Sequence, residues 1–527
     1  MTQALRHDAM RARNLALVLG AVGARGSVTR AALAEITGLT KTTVSKLVAD
    51  LIEGGLVVET GTVRDGERGR PGVEIRISGR RVAALGLEVN VDYLAVCVVD
   101  LARTVRLRRT QAVDNRTAAP VDVIARLGDL AATVVDEAVE KGLRVVGGVL
   151  AVPGPVDMTS GVVHNAPNLG WRDVPLASLL RFPFPVGVEN EANLAALGEL
   201  WFGSGLPDFL HVSGEIGIGA GLVVRGRLFR GAHGLAGELG HIVVSPGGPP
   251  CRCGGRGCLE QYAGQDALLT AVRGAASSAG PAVGTRQAGA LGRVPADEPR
   301  EGADEAIGAA RERTQASSGM PGDGGAGAPV DGTARATAQS PPDDGADGTA
   351  SEADDGEAGA TDGGEAGATD GGWTDGDGTG VTDAHGRTAP PPGRTIRAEG
   401  AVASASPSPE TLLPAQQGLS WVLSRLREGD ENARAACDRA AWALGVALSS
   451  AVNLVDPDAI VLGGIYAPLF PWIGHTVADT LKAHLGQMRG AVPPVVVSRL
   501  GAEAAALGAA GQVIEQVMAD PAALLQG

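Results

Sequence analysis

A chain of 527 residues with 44% hydrophobic content is long enough for two or three domains and can fill more than one core, which excludes a single small domain. The formal charge of −15 does not exclude a nucleic-acid partner, because it is localised: residues 281–400 hold 22 Asp and Glu against 9 Lys and Arg, whereas the first eighty residues hold 12 basic against 8 acidic. The polar start MTQALRHDAMRARN lacks an apolar leader core and no stretch of roughly 18 apolar residues occurs, so neither export nor a membrane partner is expected and the expected location is the cytoplasm.

From residue 14 to about 77 the pattern is helix, helix, turn, helix and two short strands. Thr29 is placed to cap a helix over 30–36, Gly38 to make the turn, and Thr40 to cap a second helix running to about Glu53. In that second helix Val44, Leu47, Val48, Leu51 and Ile52 repeat at helical spacing. This leaves Thr40, Lys41, Thr42, Thr43, Ser45 and Lys46 in or beside the exposed first turns, where recognition helices meet bases and phosphates. Segments 56–59 and 73–77 predict the strands of a wing, whose Gly/Pro-shaped tip carries Arg68 and Arg70 for a narrow minor groove. The pattern is that of a winged helix-turn-helix for double-stranded operator DNA; a small helical domain for protein contacts is the alternative.

Beyond residue 83, buried strands are predicted over 85–99 and 145–152 with an amphipathic helix over 121–139 between them, so the body is α/β. From about 274 to 413 periodicity disappears and Gly, Ala, Asp, Thr, Ser and Pro dominate, including EAGATDGG at 357–364 and again at 365–372. Such a segment cannot offset the entropy of ordering it, and is read as a disordered acidic insertion. Helices resume over 418–426 and 433–455, before a strand at 459–462 and further helices. The expected domains are 1–80, 81–273 continued by 414–527, and the insertion 274–413.

Three of the five cysteines, Cys251, Cys253 and Cys258, fall within eight positions, ten residues after His241. Three thiolates and one imidazole make a closed tetrahedral set for a structural zinc, leaving no open position for a catalytic water. Cys97 and Cys437 read as small buried residues.

The segment ELGH (238–241) followed by CRCGGRGCLE (251–260), with APNLGW (166–171), VENEAN (188–193) and VLGG (461–464), resembles the ROK family of repressors, open-reading-frame proteins and sugar kinases. The resemblance spans all but the insertion and implies an actin/hexokinase-like, ribonuclease H-like pair of lobes with a sugar in the cleft. It further implies that Asn168, Asn190, Glu191, Glu238, His241 and Glu260 stand at the sugar. Members with a winged helix-turn-helix are typically sugar-responsive repressors of carbohydrate genes and form homodimers or larger homo-oligomers.

Catalysis is not expected. Where kinase members carry Asp-x-Gly-Gly-Thr this chain reads Glu88-Val89-Asn90-Val91-Asp92, which removes both glycines and is expected to add the Asp92 charge where phosphates would lie. The position of the kinase base is taken by Glu191, and Glu215 would repel phosphate if it faced the cleft. An ATP-dependent sugar kinase carrying a DNA-binding domain is the alternative reading.

Overall fold

A computed structural model describes residues 2–63, 72–277, 414–486, 489 and 491–525. Residues 1–282 and 391–527 form one compact unit; the other, 283–390, lies outside the described residues, as does the expected insertion from 278 to 413.

The N-terminal part runs α1 (Thr2–Arg25), β1 (Val28–Thr29), α2 (Arg30–Thr37), α3 (Lys41–Glu53), β2 (Val57–Val63) and β3 (Gly72–Ile77). Its three strands form a sheet in the order β1-β3-β2. Local chemistry sets the helix ends: the Thr29 hydroxyl accepts from Ala32 N at 3.3 Å, and the Thr40 hydroxyl accepts from Thr43 N at 3.2 Å. Gly38 turns the chain at φ +70°, a conformation that costs other residues roughly 1–2 kcal/mol. Val44, Leu47, Val48 and Leu51 then share one core with Leu15, Leu19 and Leu33.

The next layer is a five-stranded sheet in the order β11-β7-β4-β5-β6. It comprises β4 (Val82–Val89), β5 (Tyr93–Asp100), β6 (Val105–Ala112), β7 (Arg144–Val152) and, later in the chain, β11 (Val186–Asn190), with helix α4 (Pro120–Glu140) against it. Here the structure corrects the sequence reading. Residues 85–99 are two antiparallel strands, β4 and β5, turning at 90–92. The turn carries neither Gly nor Pro and Val91 is itself buried, so the apolar run hides the reversal. A small sheet of β8 (Val156–Asp157), β9 (Val162–Ala166) and β10 (Trp171–Pro175) and the short α5 (Leu176–Leu179) precede β11.

The second lobe repeats the first sheet's pattern in the order β14-β13-β12-β15-β16: two antiparallel pairings, then two parallel ones. Its elements are α6 (Glu191–Phe202), β12 (Phe209–Gly214), β13 (Ile218–Val224), β14 (Arg227–Phe229), α7 (Glu260–Ala263), α8 (Gln265–Ser277), α9 (Pro414–Arg427), α10 (Glu431–Val455), β15 (Ala459–Gly464), α11 (Tyr466–Leu485) and β16 (Val495–Val497). Two helices, α12 (Ala504–Ala519) and α13 (Pro521–Leu525), end the described chain. Helix α8 runs past Gly274, where the periodicity was expected to stop; Ala275 and Ala276 are strong helix formers and outweigh a single glycine.

Helix α12 packs on β4 and β7 of the first sheet, α6 packs on β12 and β13 of the second, and the two helices pack on each other. They meet backbone to backbone, because a Cβ at Gly508 would collide with the Leu194 carbonyl oxygen and one at Gly198 with that of Ala504. The far end of α12 and α13 reach the winged domain: a Cβ at Gly23 of α1 would lie 2.7 Å from Met518 Cε, and Leu525 covers Gly54 at the end of α3. Among the described residues no helix is long and apolar enough to cross a membrane.

Candidate functional site

Lys41, Thr42, Ser45 and Lys46 are exposed on α3, as a surface meant for another molecule requires. Thr40 and Thr43 face each other instead, their hydroxyl oxygens 2.9 Å apart. Arg68 and Arg70 lie outside the described residues.

All six residues that the family resemblance assigned to a sugar, Asn168, Asn190, Glu191, Glu238, His241 and Glu260, line one cavity of about 280 Å³. That is near the lower end of small-molecule pockets, ~300 Å³, and is room enough for a monosaccharide. Asn190 ends β11 and caps α6: its Oδ1 accepts from Ala192 N at 3.0 Å and Asn193 N at 3.1 Å, while its Nδ2 donates to Gly154 O at 2.9 Å. One amide N–H of Asn190 is left for a ligand. Glu191 opens the helix that Asn190 caps. Asn168 and Glu260 converge above Gly217, where a Cβ would stand 2.7 Å from Glu260 Oε2 and 3.2 Å from Asn168 Nδ2. Asn168 also accepts from Arg252 Nη1 at 2.7 Å, which ties the cavity to the cysteine loop.

His241 belongs to both sites. It ends the short 3-10 turn Leu239–His241, with Nε2 3.9 Å from Glu238 Oε2 and Nδ1 3.8 Å from Cys251 Sγ. Cys253 Sγ lies 3.7 Å from Cys258 Sγ, and the four ligand atoms of His241, Cys251, Cys253 and Cys258 all fall within 4.8 Å of one another. A tetrahedral ion with metal–sulfur bonds of ~2.3 Å places its ligands about 3.8 Å apart, so this cluster could hold a metal ion. Cys97 and Cys437 are buried, as expected.

At the back of the cavity stand carboxylates. Glu191 and Glu215 keep some exposed area because they face it, yet protein encloses them, and burial followed by the charge of neighbouring carboxylates holds Glu191 well above the usual range. Burial raises Glu215 to about 7, opposed by its hydrogen bond from Asn90 Nδ2. Behind them Glu88 accepts from the Tyr93 hydroxyl at 2.7 Å and is pushed up to about 8 by burial and then by Glu215. Asp92 is not among the residues lining this cavity; it is buried beside Arg116, whose Nη1 lies 2.5 Å from it, and its charge raises Glu215 further. From the same stretch and from the β12–β13 turn, Asn90 and Glu215 do line the cavity.

Asn193 was missed as a lining residue. It is 3% exposed, one turn after Asn190 on α6, with Nδ2 donating to Glu189 Oε1 at 3.1 Å and Oδ1 without a partner. Its place in VENEAN was the available signal. Asn165, from β9, also lines the cavity, and no sequence pattern marks it.

The ROK family pattern matches residues 84–289 and 404–516, and the MarR family pattern matches residues 15–68. The xylose repressor of Caldicellulosiruptor bescii is 34% identical over 272 residues, 51% of this chain and 67% of that one. A glucokinase of Halalkalibacterium halodurans is 46% identical over 119 residues, 22% of this chain and 36% of that one. In three dimensions, the crystal structure of a ROK family transcriptional regulator, a homolog of the E. coli MLC protein, aligns over 98% of this chain and 100% of its own at TM-score 0.60 and 19% identity, which concerns the fold alone.

Proposed function

The chain belongs to the ROK family, and from that premise we propose that it is a DNA-binding repressor of carbohydrate-metabolism genes whose hold on DNA is set by a sugar or sugar derivative in the interlobe cavity. The observation that carries this reading is the joining, in one compact unit, of a MarR-type helix-turn-helix to a monosaccharide-sized cleft. The similarity to a xylose repressor supports it.

In this reading Lys41, Thr42, Ser45 and Lys46 present charge and hydroxyls to the major groove, Thr40 and Thr43 fix the start of the helix, and Arg68 and Arg70 enter the minor groove. Asn168, Asn190, Glu191, Glu238, His241 and Glu260 hydrogen-bond sugar hydroxyls. His241, Cys251, Cys253 and Cys258 hold a structural zinc. When bound, that ion would cross-link the loop 241–258 and fix the direction of His241 Nε2, the nitrogen that faces Glu238 and the cavity.

The path from cavity to DNA is the last two helices. Gly501, Ala504 and Ala505, at the start of α12, line a smaller cavity of about 30 Å³ shared with Glu191 and Glu215, while Met518 and Leu525 touch the winged domain. A sugar that favours the closed lobes shifts α12 and thereby the winged domain; it acts only so far as it binds one arrangement better than the other. Two winged domains of a cytoplasmic homodimer or larger oligomer would read the two halves of an operator, and their spacing is what the shift changes.

Kinase activity is absent in this reading. Phosphate-binding glycines are missing at 90–92, Glu215 faces the place of the phosphates, and the space beyond Glu191 is water-sized. The similarity to a glucokinase favours the alternative of a kinase with a DNA-binding domain. Purified protein incubated with ATP and a panel of hexoses and pentoses is expected to release no sugar-dependent ADP; release at enzymic rates would replace the sensor by the kinase.

A further inference from the structure

The wall of the interlobe cavity is rich in acceptors and poor in cations. Among the described residues, four carboxylates, Glu191, Glu215, Glu238 and Glu260, line it, and neither Lys nor Arg does. Arg252 is engaged with Asn168 outside the lining. The buried Oδ1 of Asn193 has no partner, and neither does the buried Oε2 of Glu88 behind the wall. A polyol satisfies acceptors with its hydroxyl donors, but it brings no cation to offset the negative charge that the carboxyl groups at the back of the cavity develop on ionising. A phosphorylated or acidic sugar would add to that charge.

A metal ion does not answer the need. Among the described residues the group of His, Cys, Asp and Glu side chains close enough to hold one is the His241 and cysteine cluster. Glu191 opens α6 and Glu215 lies in the turn between β12 and β13, the strands on which α6 packs, and both face the same space. An ammonium group on a monosaccharide brings one positive charge and three N–H donors into that space, with the ring still meeting Asn168, Glu238, His241 and Glu260.

We propose that the cavity is built for an amine-bearing sugar, whose protonated amine lies between Glu191 and Glu215. The proposal rests on the sugar-sensor reading and narrows its ligand class. Glu215 is its distinguishing residue: the hydrogen bond from Asn90 fixes its carboxylate in the space it shares with Glu191.

The test is calorimetric titration of the full-length protein near pH 7 with D-glucose, D-glucosamine, 6-amino-6-deoxy-D-glucose and N-acetyl-D-glucosamine. One of the two amines is expected to bind at least about tenfold more tightly than D-glucose, with N-acetylation removing the gain. In Glu215→Gln, which retains an acceptor for Asn90, the ratio of the two dissociation constants is expected to fall to within about threefold of unity. Glu191→Gln provides a second variant should the first fail to fold. D-Glucose binding as tightly as both amines, or a preference that survives both substitutions, overturns the proposal and leaves the sensor reading standing. Binding of none of the four, when xylose or another neutral sugar does bind, likewise overturns the proposal alone; binding of no sugar at all overturns both.

Discussion

Lys46 and Glu88 illustrate two ways in which a single side chain reports on the site around it. Lys46 is exposed on the recognition helix, and a phosphate contact there contributes affinity without sequence information. Lys46→Ala is therefore expected to weaken binding to operator and random DNA alike and to reduce the slope of log K against log salt by about 1. An unchanged slope in a titration by fluorescence anisotropy would remove Lys46 from the interface. Glu88 is enclosed, and its folded-state value of about 8 exceeds the ordinary 4.5, so the folded chain holds this proton more tightly than the unfolded one. The stability contributed is complete below about pH 4.5 and is lost as pH rises through about 8. Glu88→Gln should flatten this dependence, giving a Tm several degrees above the parent near pH 8 and a difference that narrows near pH 5. Thermal denaturation across that range checks it, and parallel curves would contradict the burial argument.

At the scale of elements, the cysteine loop and the α6–α12 pair are where small changes should have large effects. With zinc in the His241 and cysteine cluster, as proposed, a chelator is expected to lower Tm and to weaken sugar binding by about 10–100-fold, because His241 loses the partner that fixes its ring. Sugar affinity that is indifferent to measured zinc content would separate the two sites. Gly508→Val forces a branched side chain onto the Leu194 carbonyl and should cost about 1–3 kcal/mol or more in urea denaturation. Which elements were legible in the sequence follows from the range of the forces that make them. The caps at Thr29 and Thr40 and the turn at Gly38 are local, and the structure places them where the spacing does. Strand β6 is an edge rich in Arg whose alternation is confined to Val105–Arg108, and β16 is three residues long; neither announces itself. Of the cavity, the residues in motifs were legible. The pairing of Asp92 with Arg116 was not, because Arg116 lies outside its own turn.

For the whole molecule, two topologically equivalent sheets enclose a helix pair, and one helix of that pair continues to the DNA-binding domain. No internal sequence repeat signals the duplication, since matching strand orders need only matching patterns of burial. The arrangement gives the cleft a mechanical route to α1 and α3, so occupancy of the cavity and grip on DNA must be linked reciprocally if the ligand distinguishes the two lobe arrangements. The most direct measurement is the affinity of full-length protein for DNA from its own upstream region, at physiological salt with competitor DNA, across a panel of neutral and amine-bearing sugars. Specific binding that one sugar weakens by about tenfold or more, a coupling of ~1.4 kcal/mol or more, is the expected result. Specific binding that no sugar alters, or no specific binding under any condition, would contradict sugar-gated repression.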